Sequence, residues 1–261
     1  MELYRLRSGS TPLLISMPHA GTWLPPAIAA TLTEAGRAVA DTDWHVDRLY
    51  AFAAELGAGL LAATHSRYEI DLNRAPDGAD LYPGANNTEL CPTTTFDEQP
   101  IYQADGAPDE AEIGRRRRLY WQPYHDRLKA ELDRILERHG RALLWEGHSI
   151  RSLLPRFFAG RLPDLNIGTA GGASAGPEIE RAVAHVAEAA NGYTSALNGR
   201  FTGGYTTRAY GDPARGVHAV QLELAQVAYM TETPPFAYLP DRAEALQKVL
   251  KRMLEAALGA L

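Results

Sequence analysis

Four short polar clusters in this chain carry side chains of the kinds that bind metals or move protons. In the first, Ser16-Met17-Pro18-His19-Ala20-Gly21, His19 stands just past an apolar run, where it can offer a neutral imidazole to a metal. Taken alone, it also reads as an ordinary loop histidine. The second, Asp43-Trp44-His45-Val46-Asp47, sets two acids four residues apart, so on a helix both carboxylates share a face and call for a cation between them. Acids in a first helical turn can instead complement the positive end of the helix dipole. His45 points away from that face and is the poorer ligand. In the third, Trp145-Glu146-Gly147-His148-Ser149, strand alternation turns Glu146 and His148 to one side. A carboxylate behind an imidazole fixes its tautomer, and an unpartnered charge after so apolar a run would be costly, which favours chemistry over packing. In the fourth, Gln221-Leu222-Glu223-Leu224, the polar pair turns away from the leucines. Glu223 suits a general base that activates a water, and equally one half of an ion pair.

Two further segments suit a small acid. Ser66-Arg67-Tyr68-Glu69-Ile70-Asp71-Leu72-Asn73-Arg74 holds two arginines and an amide close together, and arginine grips carboxylates as a bidentate fork. The loop Phe201-Thr202-Gly203-Gly204-Tyr205-Thr206-Thr207-Arg208 adds hydroxyls and Arg208, while Gly203 and Gly204 allow backbone N–H groups to approach an anion. It lacks the lysine and spacing of a P-loop.

These clusters need a scaffold, and the apolar pattern supplies one. Short strands are expected over 12–17, 60–64, 142–145, 165–168 and 217–224, with helices over 26–35, 43–56, 109–139 (interrupted near Pro123), 177–190 and 241–258. Strands alternating with helices predict one α/β domain over 1–261, with helices on both faces of a parallel or mixed sheet. Open sheets of this kind bind ligands at strand ends, where the four clusters fall. Residues 75–108 are rich in Pro, Gly, Asn, Asp and Thr, and a loop of that length is expected to cover a site.

Composition narrows the function class. With 26 Lys and Arg against 32 Asp and Glu, the net charge of −6 argues against a nucleic-acid partner. Arg115 to Arg118 read as a solvated helix face. No apolar run approaches the roughly 20 residues of a membrane helix, and Met1 to Arg7 show no export signal. Cys91 is the sole cysteine, which excludes an internal disulfide and fits a reducing compartment. A cytoplasmic enzyme is therefore expected.

The stretches SMPHAG, DTDWHVDRLY, SRYEIDLNRAP, EGHSIRS, FTGGYTTRAYG and HAVQLELAQVAYM run in order along nearly the whole chain, and through them it resembles the N-formylglutamate amidohydrolase family. That family is similar in fold to zinc carboxypeptidases and aspartoacylase-like enzymes, so the resemblance implies a single-domain three-layer sandwich with a mixed sheet. It implies one Zn2+ held by His19, His148 and a carboxylate. Those relatives place a glutamate three residues after the first histidine, where this chain has Thr22; Asp43, ahead of Asp47, is the expected replacement. Glu223 resembles the general base, Arg67 would stabilise the oxyanion, and Glu146 would support His148 from behind. Asn73 and Arg74 resemble the Asn-Arg pair with which those relatives hold a substrate carboxylate, and Arg208 would join them beside Gly203 and Gly204. The implied reaction is hydrolysis of N-formyl-L-glutamate to formate and L-glutamate in histidine breakdown. Another N-acyl or N-formyl amino acid, or a non-catalytic binder of acidic metabolites, stands as the alternative.

Overall fold

A computed structural model describes residues 2–81, 84 and 86–261. Seven strands form one mixed sheet: β1 (Tyr4–Arg7), β2 (Leu13–Met17), β3 (Gly59–Ala63), β4 (Ala142–Ile150), β5 (Leu165–Gly168), β6 (Ser195–Leu197) and β7 (Val217–Ala225). Their spatial order is β1-β3-β2-β4-β7-β5-β6. The four central strands β3, β2, β4 and β7 are mutually parallel, while β1 and β5 join antiparallel.

Alternation along the central strands separates two cores. Leu13, Ile15, Met17, Leu143, Trp145, Val220, Leu222 and Leu224 pack against α6 (Pro177–Glu188) and α8 (Pro240–Ala260). Leu14, Leu61, Leu144 and Ala219 turn to the other side, against Leu128, Leu132 and Ile135 of α5 (Gln122–His139). The result is the expected sandwich of helix, sheet and helix.

Several elements depart from the pattern read along the chain. The helix expected over 26–35 is two short ones, Pro26–Ala29 and Glu34–Arg37, the second capped by the Thr33 hydroxyl accepting from Gly36 N at 3.0 Å. The helix expected from Asp43 begins only at Val46, because His45 sits at φ 63° and breaks the turn. Pro123 does not interrupt the long helix. Helix Glu110–Arg116 passes into a π-helical turn, Arg117–Trp121, and then into α5. The wider turn makes room for a ring that would clash with the carbonyl four residues back. Strand β4 runs on through Ile150, so the third polar cluster lies within it. Short β1 and β6, and α7 (Tyr205–Tyr210) within the expected 201–208 loop, carry no periodicity long enough to read.

The described residues of 75–108 form no regular helix or strand; positions 82, 83 and 85 lie outside the described residues. Among the described residues, no helix is long and apolar enough to cross a membrane.

Candidate metal centre and active-site cavity

The parallel strands β2, β4 and β7 bring their C-terminal ends together. His19 follows β2 by two residues, and His148 and Glu223 are register partners across β4 and β7. Gly147 lies between Glu146 and His148 because Tyr50 packs there: a Cβ at Gly147 would stand 2.8 Å from its ring. The strand can thus hold two buried polar groups on one face while an aromatic covers the other.

His19, Asp43 and His148 are buried, and each offers a ligand atom within 4.8 Å of the others. Asp43 Oδ2 lies 3.0 Å from His148 Nδ1 and 3.7 Å from His19 Nδ1, so both rings turn the same nitrogen towards it. Asp43 is held there by its backbone N–H bonding His19 O at 3.0 Å and by Ser149 N donating to Oδ2 at 3.1 Å. The other nitrogen of each ring faces a second carboxylate. His19 Nε2 bonds Asp71 Oδ1 at 2.7 Å, and His148 Nε2 stands 3.4 Å from Glu146 Oε2.

This donor set fits a divalent cation. Two imidazoles and one carboxylate make a catalytic zinc-type set that leaves a position open, and a carboxylate behind each imidazole fixes its tautomer. Glu146 is fully buried and neither oxygen has a hydrogen bond of normal geometry. His148 Nε2 is shared between that carboxylate and the Asn73 amide nitrogen 3.1 Å away, which leaves Nδ1 to face a cation. The titration pattern agrees. Burial and the Arg67 charge lower His19 to about 4, which leaves a neutral ligand. Burial opposes a charge on His148, yet the hydrogen bond to Asp43 and the Glu146 carboxylate close by lift it to about 10, the mark of a site that attracts positive charge. Burial raises Glu223 to about 7 against the pull of His148.

A cavity opens beside this group, with His19, His148, Glu223 and Gln221 among its walls. Arg67, Arg74, Asn73 and Gly204 also line it, as does loop 75–108 through Leu81, Asn86, Asn87, Thr88 and Phe96. Arg67 is tied to Asp71 Oδ2 at 2.6 Å and lies 3.7 Å from Asp43 Oδ1. Asn73 reaches His148 Nε2 at 3.1 Å and accepts from Thr206 N at 2.9 Å. Gly204 is needed for that approach, since a Cβ there would meet Asn73 Nδ2 at 2.2 Å. Its N–H donates to Gln221 Oε1 at 2.7 Å, and Gln221 Nε2 reaches Glu223 Oε2 at 3.4 Å.

Other expected residues fall elsewhere. Asp47 does not share the site with Asp43; it pairs with Arg5 at the surface, because the helix starts after Asp43. Arg208 does not line the cavity. Its guanidinium binds Gly203 O, Thr202 Oγ1 and Leu81 O, beside a separate surface depression. Gly203, at φ 119°, shapes the turn into α7 and is likewise absent from the cavity wall. His45 bonds Phe236 O at 2.7 Å. Cys91 is buried and its thiol is pushed up to about 12 by burial. Of Arg115–Arg118, Arg118 is exposed, Arg115 pairs with Glu112, Arg117 donates to Pro76 O, and Arg116 is buried against Glu69 O and Tyr102 Oη.

Three residues were given no role by the sequence reading. Asp71, within the DLNR stretch, binds both His19 and Arg67. Gln221 links Gly204 to Glu223. Arg200 lines the cavity, with Nε donating to Phe157 O at 2.6 Å. The alternation that exposed Glu223 also marked Gln221; nothing in the local pattern marked Arg200.

The sequence profile of the N-formylglutamate amidohydrolase family matches residues 11–230. The chain is 52% identical over 258 residues to N-formylglutamate deformylase of Pseudomonas aeruginosa, covering 99% of this chain and 97% of that protein. It is 51% identical to N-formylglutamate deformylase of Pseudomonas putida, covering 99% and 96%. The crystal structure of N-formylglutamate amidohydrolase from Ralstonia eutropha superposes with a TM-score of 0.83 at 27% identity, over 98% of this chain and 97% of that one. A gene product of Agrobacterium tumefaciens shares the fold, with a TM-score of 0.71 at 20% identity over 98% and 96% of the two chains.

Proposed function

This chain belongs to the N-formylglutamate amidohydrolase family, and from that premise we propose that it hydrolyses N-formyl-L-glutamate to formate and L-glutamate. The observation that carries the reading is the buried His19–Asp43–His148 group with Glu223 beside it in the wall of an arginine-lined cavity. His19, Asp43 and His148 would hold one Zn2+. When bound, that ion supplies Lewis acidity, which acidifies a water and polarises an amide carbonyl.

The chain's own residues do the rest. Glu223, pushed up to about 7 by burial, is poised to accept a proton from the attacking water near neutral pH. Water oxygen bonds to the formyl carbon, the carbonyl electrons move to its oxygen, and Arg67 faces the negative charge that develops. Burial works against the Arg67 charge, but Asp71 and Asp43 hold the guanidinium protonated. As the oxyanion collapses the C–N bond breaks, and Glu223 returns its proton to the departing nitrogen. Gln221 steadies the Glu223 carboxylate between these transfers.

The substrate's two carboxylates divide between two arginines. Asn73 touches His148, so Asn73 and Arg74 stand nearest the reacting end and suit the α-carboxylate. Arg200 takes the place expected for Arg208 and suits the γ-carboxylate. It follows Arg67 along the cavity wall after two aromatic rings, with Phe96 5.0 Å from Arg67 and Phe157 5.1 Å beyond, and its Nε is anchored on Phe157 O. The small acid and the soluble zinc-dependent chemistry fit a cytoplasmic catabolic role.

The deciding experiment measures formate release from N-formyl-L-glutamate, N-formyl-L-aspartate and N-acetyl-L-glutamate, with and without a chelator. Fastest turnover of N-formyl-L-glutamate, lost on chelation and restored by zinc, is the expected result. Folded protein that releases no formate in the presence of zinc would end the proposal.

A further inference from the structure

The segment that presents Asn73 and Arg74 is neither helix nor strand, yet it is held by a ladder of side chains from one helix. Arg117 Nη1 donates to Pro76 O at 2.7 Å, Trp121 Nε1 to Arg74 O at 3.0 Å, and His125 Nε2 to Leu72 O at 2.8 Å. The donors come at steps of four residues and the acceptors at steps of two, in opposite chain directions.

In a regular α-helix such a row drifts, since four residues turn about 40° past a full circle. Over two steps the outer donors would no longer share a line. Here the first step, Arg117 to Trp121, spans the π-helical turn, which winds less per residue and offsets the drift of the α-helical second step. The ladder is closed from the other side as well. Trp121 stacks on His125 at 3.8 Å, His125 Nδ1 bonds Tyr210 Oη at 3.0 Å, and α7, which carries Tyr210, supplies the Thr206 N–H that holds Asn73 Oδ1. Asn73 sits between two anchored carbonyls with its side chain turned to His148.

We infer that Arg117, Trp121 and His125 are positioning residues that set the Asn73–Arg74 pair, and that the π-helical turn, whatever room it also gives Pro123, keeps them in line. The inference rests on the proposed assignment of that pair to the α-carboxylate.

The test is Trp121→Phe, which keeps the ring on His125 and removes the one N–H. For N-formyl-L-glutamate, KM should rise on the order of tenfold while kcat moves less than about threefold. For 4-formamidobutanoate, which lacks the α-carboxylate, KM should stay within about twofold. Arg117→Met should act in the same direction, with Arg117→Lys restoring much of the loss. In an Arg74→Met background Trp121→Phe should add nothing further. A KM unchanged in Trp121→Phe, an equal rise for both substrates, or full additivity with Arg74→Met would overturn the inference. Amide hydrogen exchange needs no substrate, and so separates this idea from the reading of the reaction. Faster exchange at residues 72–75 in Trp121→Phe, with β4 unchanged, is expected; unchanged exchange there overturns the ladder even if no substrate turns over.

Discussion

The two faces of the central strands are built from alternate residues of the same few segments, yet they differ in kind. Towards α6 and α8, β2, β4 and β7 present Leu13, Ile15, Met17, Leu143, Trp145, Val220, Leu222 and Leu224, a dry core. Towards α5 and α7 the same strands present Ser16, Glu146, His148, Gln221 and Glu223, all buried. A period of two therefore lets one strand carry stability on one side and chemistry on the other, with little exchange between them. The apolar face stabilises the sheet enough to hold the polar face in an environment it would otherwise avoid.

Substitutions test whether that division is real. The largest effect belongs to the polar face: Glu223→Gln should retain fold and metal while lowering kcat by about 10²- to 10⁴-fold, and His148→Ala should also lose the metal, both read by formate assay and metal content. A fully active Glu223→Gln would end the division of roles. Leu222→Ala, one residue away on the dry face, should cost about 2–5 kcal/mol of stability by urea titration and leave KM and kcat intact at a temperature where the protein stays folded. Next, Arg200→Met should raise KM for N-formyl-L-glutamate by about tenfold and weaken discrimination against N-formyl-L-glutamine; equal loss on both substrates would remove Arg200 from the γ-carboxylate. The smallest effect concerns Glu69, a fully buried carboxylate that burial raises to about 8. Between its ordinary value of 4.5 and about 8 the folded state holds the proton and the unfolded state does not, so stability falls as pH rises through that window. Glu69→Gln should remove that slope in thermal melts taken from pH 5 to 8.

The rate should follow pH in the opposite sense. As the proposed base, Glu223 must be ionised to act, so kcat/KM should rise with pH along a limb at or below about 7, since a bound cation would pull the group down.

Much of this was legible along the chain because it is local. The apolar runs placed β2, β3, β4, β5 and β7, and alternation alone put Glu146 beside His148 and Gln221 beside Glu223. What failed depended on contacts made across the fold. Asp43 and Asp47 share a face only if a helix already runs through Asp43, and the left-handed His45 prevents it. Asp71 looked like one acid among several until the fold set it between His19 and Arg67. Arg200 and Arg208 are indistinguishable as residue types, and only the path of the loop into α7 decides which lines the cavity.

The metal group also bears on how the molecule stays folded. The Asp43–His148 contact closes a loop of 105 residues and the His19–Asp71 contact one of 52. In the unfolded chain nothing holds residues so far apart together, and bringing them together costs loop-closure entropy. A cation held by His19, Asp43 and His148 would therefore bind the folded chain and not the unfolded one. Its binding energy would lower the native state relative to the unfolded one, so melting temperature should rise with zinc and fall on chelation. The ion that serves the reaction would then also help to hold the fold together.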